Sequence, residues 1–210
     1  MYKDYKDISN KTAKLFQEIL SEKGMKNEDV KSKHMIKYLR ITESGYEKVE
    51  RFYSQVYRGA KGDKILDFGC GTGRYIYVGK RLGYDVKGID IMITGDSVYT
   101  RARKLYEIED DVMLYDGTTL PYFEDNTFDG MLFVLSITRD STLPAARKNM
   151  SDPVYKARMN YRIEELIRMS KPDAAWYITK RDHHIIIKPL FDKFNNKNIK
   201  IYGAGARRKK

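Results

Sequence analysis

From residue 63 onward, short apolar runs alternate with segments whose apolar residues recur at helical spacing. Ile65, Leu66 and Phe68 make a run dense enough for a strand buried on both faces, predicted over Lys64–Phe68. Similar runs predict strands at Asp85–Ile89, Val112–Tyr115, Phe128–Leu135, Ala174–Thr179 and Ile199–Tyr202. Between them the spacing predicts helices over Arg74–Leu82, over Ser97–Tyr106, and from Pro153 to about Met169, with Pro153 at the first helical position behind Asp152. Ser136–Asp152 is a long connection, and a further helical stretch, His184–Phe194, is interrupted by Pro189. Alternating strands and helices imply a mostly parallel sheet with helices on both faces, an α/β chain with a three-layer α/β/α architecture.

The first 60 residues lack strand patterning. Ala13, Phe16, Ile19 and Leu20 recur at helical spacing within Asn10–Lys23, and Gly24 is the expected cap. Ser44-Gly45-Tyr46-Glu47 has capping-box spacing and opens a second stripe of Tyr46, Val49, Phe52, Tyr53 and Val56, which Gly59 ends. The expected organisation is therefore an N-terminal helical extension over 1–60, an α/β domain over 61–206, and a basic tail, Arg207-Arg208-Lys209-Lys210.

Composition narrows the classes. A chain of 210 residues is long enough for a real core. No stretch approaches the ~20 apolar residues of a membrane span. The first residues, Met1-Tyr2-Lys3-Asp4, have no apolar h-region, so a secretory signal is not expected. Cys70 is the single cysteine, which excludes an intrachain disulfide and makes a reducing, cytoplasmic location the expectation. With three histidines besides, no metal site of the Cys/His zinc type is expected. The net charge of +11 is unevenly spread: residues 1–62 hold 14 Lys/Arg against 9 Asp/Glu, residues 63–170 hold 15 against 17, and residues 171–210 hold 11 against 3. Basic ends can attract nucleic acid or another anionic partner, or simply be solvated.

Chemistry concentrates in Asp67-Phe68-Gly69-Cys70-Gly71-Thr72-Gly73-Arg74. The glycines permit positive φ and close approach of a ligand to the backbone, and the turn opens onto the free N–H groups of the next helix. The spacing D-x-G-x-G-x-G is not the dinucleotide fingerprint G-x-G-x-x-G, whose third glycine falls on Arg74 counting from Gly69. Acids close three successive strands, Asp67, Asp90 and Asp116, all on the carboxyl edge where open α/β sheets bind ligands. Asp90 follows Gly69 by 21 residues, where a carboxylate can accept both hydroxyls of a ribose; one at Asp116, before Gly117, can accept from an adenine amine.

This arrangement resembles the first motifs of the class I S-adenosyl-L-methionine (SAM)-dependent methyltransferases, of the type 11-like group. Leu120-Pro121-Tyr122-Phe123-Glu124-Asp125-Asn126-Thr127-Phe128-Asp129 is similar to that family's approach to the fourth strand, and Leu166-Ile167-Arg168-Met169-Ser170-Lys171-Pro172-Asp173 to its turn before the fifth. The resemblance covers roughly residues 60–180. It implies a Rossmann-like methyltransferase fold, SAM as cofactor and S-adenosyl-L-homocysteine as product. By the same resemblance Asp67, Gly69, Cys70, Gly71 and Gly73 form the turn around the methionine part, Asp90 and Ile91 hold the ribose and flank the adenine, Asp116 and Gly117 contact the adenine, and Phe133 lies beneath the sulfonium. The chain departs from the pattern in a longer loop at Met92–Gly95, in Asp173 where the family has glycine, and in the short chain after the sixth strand, so that the closing antiparallel strand is expected to be short, displaced or missing.

The expected reaction is direct in-line transfer to oxygen or nitrogen of a small or mid-sized acceptor. Phe133-Val134-Leu135-Ser136 is not an N-P-P-Y/F segment, which argues against base exocyclic-amine methylation, and Cys70 sits in the glycine turn rather than where a ring-carbon nucleophile would act. An RNA-directed methyltransferase using the basic ends, and a SAM-binding protein without transfer, are the alternatives. His183 and His184 are candidate bases near neutral pH, against the plainer reading of exposed histidines. Arg139, Asp140 and Arg147 are candidate substrate contacts in the loop after the fourth strand, against that of a solvated charged loop.

Overall fold

The computed structural model describes residues 4–22, 43–91, 97–115, 118–133, 151–178 and 197–203. Helix α1 spans Lys6–Glu22, and α2, Glu43–Arg51, runs directly into a π-helical turn over Phe52–Tyr57. There follow β1 (Lys64–Phe68), α3 (Arg74–Arg81), β2 (Asp85–Ile91), α4 (Val98–Leu105), a 3₁₀ turn (Glu109–Asp111), β3 (Val112–Tyr115), β4 (Phe128–Phe133), α5 (Pro153–Met169), β5 (Ser170–Ile178) and β6 (Lys200–Gly203). The predicted helix over 184–194, the loop at 92–95 and the tail at 207–210 lie outside the described residues.

The strands form one sheet in the order β3-β2-β1-β4-β5-β6, and all five pairings among the described residues are parallel. This is the Rossmann-like, mostly parallel α/β arrangement that the sequence implied. No antiparallel strand closes the described sheet; β6 lies directly beside β5, with Ala175 opposite Lys200.

Strand alternation divides the interior into two cores. Leu66, Phe68, Met131 and Phe133 face α5, where Tyr155, Met159, Ile163 and Leu166 repeat at helical spacing. Ile65, Val86, Leu132 and Tyr177 face the other way, toward α3 and the N-terminal helices. Both layers follow from the apolar pattern, since each strand buries one alternate set on each side.

The N-terminal helices are more than an extension. Tyr46, Val49, Tyr53 and Tyr57 belong to the same core as β1 and α3. The Tyr46 and Tyr106 hydroxyls lie 2.5 Å apart, with Thr12 of α1 bonded to Tyr46 at 3.0 Å. The π turn fits Tyr57 against Gly130, where any Cβ would come within 2.6 Å of the Tyr57 ring. It ends at Arg58, held at φ 51°, one residue before Gly59. The helix α2 includes Ser44, so that serine does not cap it from outside.

Two helix starts carry side-chain caps, of which the sequence reading used only the one at Asp152-Pro153. Ser97 accepts from the Thr100 N–H, and Thr100 returns a hydroxyl to the Ser97 N–H, a reciprocal box. The Asp152 carboxylate accepts from the N–H groups of Val154 and Tyr155 ahead of Pro153. The turn predicted at Lys171-Pro172-Asp173 is instead a bulge inside β5: Asp173 takes φ 62°, and the pairing with β4 shifts between Phe128 and Gly130.

Candidate active site at the strand tips

β1 ends in the glycine turn, and its geometry ties it to β2. The N–H groups of Gly69 and Cys70 both donate to the Ile89 carbonyl, at 2.7 and 3.2 Å. Gly69, Gly71 and Gly73 have φ of 75°, 57° and 82°, the left-handed region that glycine enters without strain. The two later glycines do different things. A Cβ on Gly73 would come within 2.2 Å of Ile108, so Gly73 permits packing. A Cβ on Gly71 would meet nothing nearer than the Tyr99 ring at 3.8 Å, so Gly71 borders open space. No side chain caps the start of α3.

Asp67 lies at 1% exposure, and its Oδ2 has no hydrogen-bond partner among the described residues. Burial, reinforced by the nearby charge of Asp90, pushes its pKa up to about 7, against the opposing pull of Arg74 and Arg103. Asp90 closes β2 at 9% exposure. Its Oδ1 accepts from the Ile91 N–H at 2.9 Å, and its Oδ2 from Arg103 Nη2 at 2.5 Å. Burial raises its pKa, while Arg103 and the N–H groups of Ile91 and Gly71 oppose the rise. Arg103 also donates from Nε and Nη2 to the Gly71 carbonyl, at 2.9 and 2.6 Å. The Cys70 thiol is buried against the Cα of Gly88, and burial raises its pKa well above the usual value, which makes it a small apolar group and not a nucleophile.

The structure thus brings together Asp67, Gly69, Cys70, Gly71, Gly73, Asp90 and Ile91 around one turn. Phe133 is placed differently. It is fully enclosed on the α5 side of the sheet, its ring 5.1 Å from Trp176 and 5.9 Å from Phe68, because it occupies an α5-facing position of β4. Phe133 thus packs at the end of the described part of β4, in the core shared with Phe68 and Trp176. Asp116, Gly117, Arg139, Asp140, Arg147, His183 and His184 lie outside the described residues. Arg103 and Tyr99 were not among the sequence candidates. Their signal was present: Tyr99, Ala102, Arg103 and Tyr106 form an i, i+3, i+4, i+7 stripe, and an arginine in a core-facing stripe demands a buried partner. Among the described residues no three His, Cys, Asp or Glu side chains are placed to hold a metal, and no helix is long and apolar enough to cross a membrane.

Residues 66–150 match a family described as "Methyltransferase domain". This segment, less than half of the chain, is similar to a methyltransferase domain. The chain has a curated relative in the 18S rRNA (guanine-N(7))-methyltransferase bud23 of Schizosaccharomyces pombe, 40% identical over 74 residues. That match takes in 35% of this chain and 26% of the relative, so the chain spans about a quarter of that protein's length. Solved structures similar to it include the PH0226 protein of Pyrococcus horikoshii (25% identity, 61% of this chain and 53% of that one, TM-score 0.43) and a SAM-dependent methyltransferase of Methanosarcina mazei (26%, 55% and 51%, TM-score 0.37). The [4+2]-cyclase SpnF is another (20%, 62% and 42%, TM-score 0.43).

The similarity to a methyltransferase domain implies SAM as the methyl donor. The residues fit it. The unpartnered, buried Oδ2 of Asp67 suits a donor or cationic group, and the open backbone at Gly71 admits a ligand where a side chain would block it.

Proposed function

We propose that this chain is a SAM-dependent methyltransferase that delivers the methyl group directly to oxygen or nitrogen of its acceptor. The observation that carries this reading is the meeting of two buried acids, Asp67 and Asp90, across an open glycine turn at the carboxyl edge of the sheet, in a segment similar to a methyltransferase domain. In it, Asp67 and the turn from Gly69 to Gly73 hold the methionine part, and Asp90 accepts from the ribose. The carboxylate of Asp90 already faces Arg103, Ile91 and Gly71 donors, which leaves about one of its roughly four acceptor positions for a ribose hydroxyl. Asp116 and Gly117 are assigned to the adenine.

SAM supplies an already activated methyl group, so the chain need not generate a strong nucleophile. Its own residues do three things. They fix the adenosyl and methionine ends through strand tips, orient the acceptor in line, and exclude water. A base is needed only where the acceptor atom carries a proton at the working pH, and His183 and His184 are the candidates.

A second reading names RNA as the acceptor. The relative that methylates 18S rRNA supports it, and so does the net charge of +11 with its excess at both ends. The test is calorimetric titration with SAM, S-adenosyl-L-homocysteine and NAD, followed by a labelled-methyl screen of RNA and metabolite fractions. Uptake of SAM without NAD, with label in RNA that falls steeply with salt, supports both readings. Label in small molecules alone removes the RNA reading. Binding of SAM with no label in any fraction leaves a SAM-binding protein without transfer. No binding of SAM removes the proposal.

A further inference from the structure

Arg103 is 4% exposed, yet it carries a full charge into the layer between α4 and the sheet. A buried ion pair is costly to assemble and is weak grounds for stability. A carbonyl such as that of Gly71 is satisfied equally well by a neutral donor. Neither contact alone accounts for an arginine there. Together they do: one planar fork spans the glycine turn of β1 and the acid of β2, adding a charged side-chain link to the backbone bonds to Ile89 and the Gly71 N–H that already join them.

We propose that Arg103 is a positioning residue for the ribose of the adenosyl cofactor: its fork locks the Asp90 carboxylate to the Gly71 carbonyl, so that strand tip and glycine turn present one preset acceptor, the open edge of Asp90 Oδ1. This rests on the SAM-binding reading above. Asp90 is faced by Arg103 from α4, by Asp67 from β1, by the Cys70 thiol and Gly71 N–H of the turn, and by its own neighbour Ile91; Arg74 of α3 faces Asp67. Arg103 and the two N–H groups favour the ionised form of Asp90, which burial opposes. Without the guanidinium, burial and the second carboxylate drive Asp90 toward its protonated form. A protonated Asp90 offers a ribose hydroxyl fewer acceptor positions, and nothing holds its remaining edge in place.

The experiment measures S-adenosyl-L-homocysteine affinity by calorimetry from pH 6 to pH 8.5 for the full chain, Arg103→Gln and Arg103→Lys, with circular-dichroism melts alongside. Arg103 also pulls on Asp67, so all three chains are measured a second time carrying Asp67→Asn, which removes that titration and leaves the difference between profiles to Asp90. Arg103→Gln should bind about tenfold more weakly at pH 8.5, the loss of one charge-assisted contact. That deficit should widen toward pH 6 as Asp90 takes up a proton. Arg103→Lys retains the charge without the fork, and should bind several-fold more weakly at every pH with a profile parallel to the parent chain. A purely structural role would lower the melting temperature and leave the pH profiles parallel in both variants. If Arg103→Gln does not fold, Arg103→Lys decides: binding within twofold of the parent overturns the proposal. Parent chain that binds while both variants bind alike overturns this inference alone; parent chain that takes up none removes the SAM reading and this one with it.

Discussion

Buried acids occur at both edges of the sheet, and they are treated oppositely. At the amino edge Asp111, 6% exposed, lies beside both Lys80 and Lys87, bonded to the latter at 2.7 Å. Burial pushes its pKa up, but the two ammonium groups more than offset that and hold it below the usual carboxylate range. Asp129 is similarly served, accepting from the Lys64 N–H at 3.0 Å and from Lys171 at 2.8 and 2.9 Å. At the carboxyl edge Asp67 has an oxygen with no partner among the described residues, and its pKa and that of Asp90 are raised. Acids that only stabilise a fold are fully paired. An acid left short of partners in the interior carries a cost that a ligand can relieve, and that asymmetry supports the carboxyl edge as the proposed site.

The comparison breaks most readily at Asp90. Asp90→Ala strands Arg103 in the interior and should cost about 3–5 kcal/mol in urea denaturation. It should also weaken SAM binding by about 1–3 kcal/mol in calorimetry. Unchanged SAM affinity in a folded variant would falsify the ribose assignment. Asp67 sharpens the contrast through pH. Its folded pKa lies above its unfolded value, so the folded state binds the proton more tightly and stability rises as pH falls from about 7 toward 4. Asp67→Asn should flatten that slope, a change on the order of 1–3 kcal/mol between pH 8 and pH 5 in thermal melts. The opposite sign belongs to Asp111, whose depressed pKa gives stability that is present above its unfolded value and lost as pH drops through the folded one. Asp111→Asn should therefore cost about 1 kcal/mol at neutral pH, because both lysines are partly exposed, and the cost should vanish below pH 3. Smallest is Lys171→Ala, expected to cost under about 1 kcal/mol and to leave SAM affinity unchanged. A loss of SAM binding there would erase the distinction between the edges.

How much of this was legible in the chain depended on the range of the interaction responsible. The strands Lys64–Phe68 and Val112–Tyr115 follow from local apolar runs, and the start at Pro153 from local cap chemistry; both match residue for residue. The glycine turn and its acids were legible because their spacing is itself the signal. The π turn was not, because its cause is the fit of Tyr57 against Gly130, 73 residues away in sequence. The bulge at Asp173 was concealed in the same way. Its strained φ is held by a bond from its N–H to the Lys197 carbonyl at 2.9 Å, a partner no local pattern reveals. Arg103 gave a signal only as a charge among apolar stripe positions, and the identity of its two partners is a property of the fold.

The chain has a single tryptophan, and Trp176 lies fully enclosed in the core between β4, β5 and α5, its indole N–H bonded to Ser170 at 2.9 Å. Tyrosines crowd the opposite core instead. The molecule therefore carries two built-in optical probes on opposite sides of one sheet. Indole emission should stay blue-shifted until the α5 side opens to water, while tyrosine absorbance follows the N-terminal helices as they peel from the other side. A single melt read at both wavelengths reveals whether the two halves come apart together.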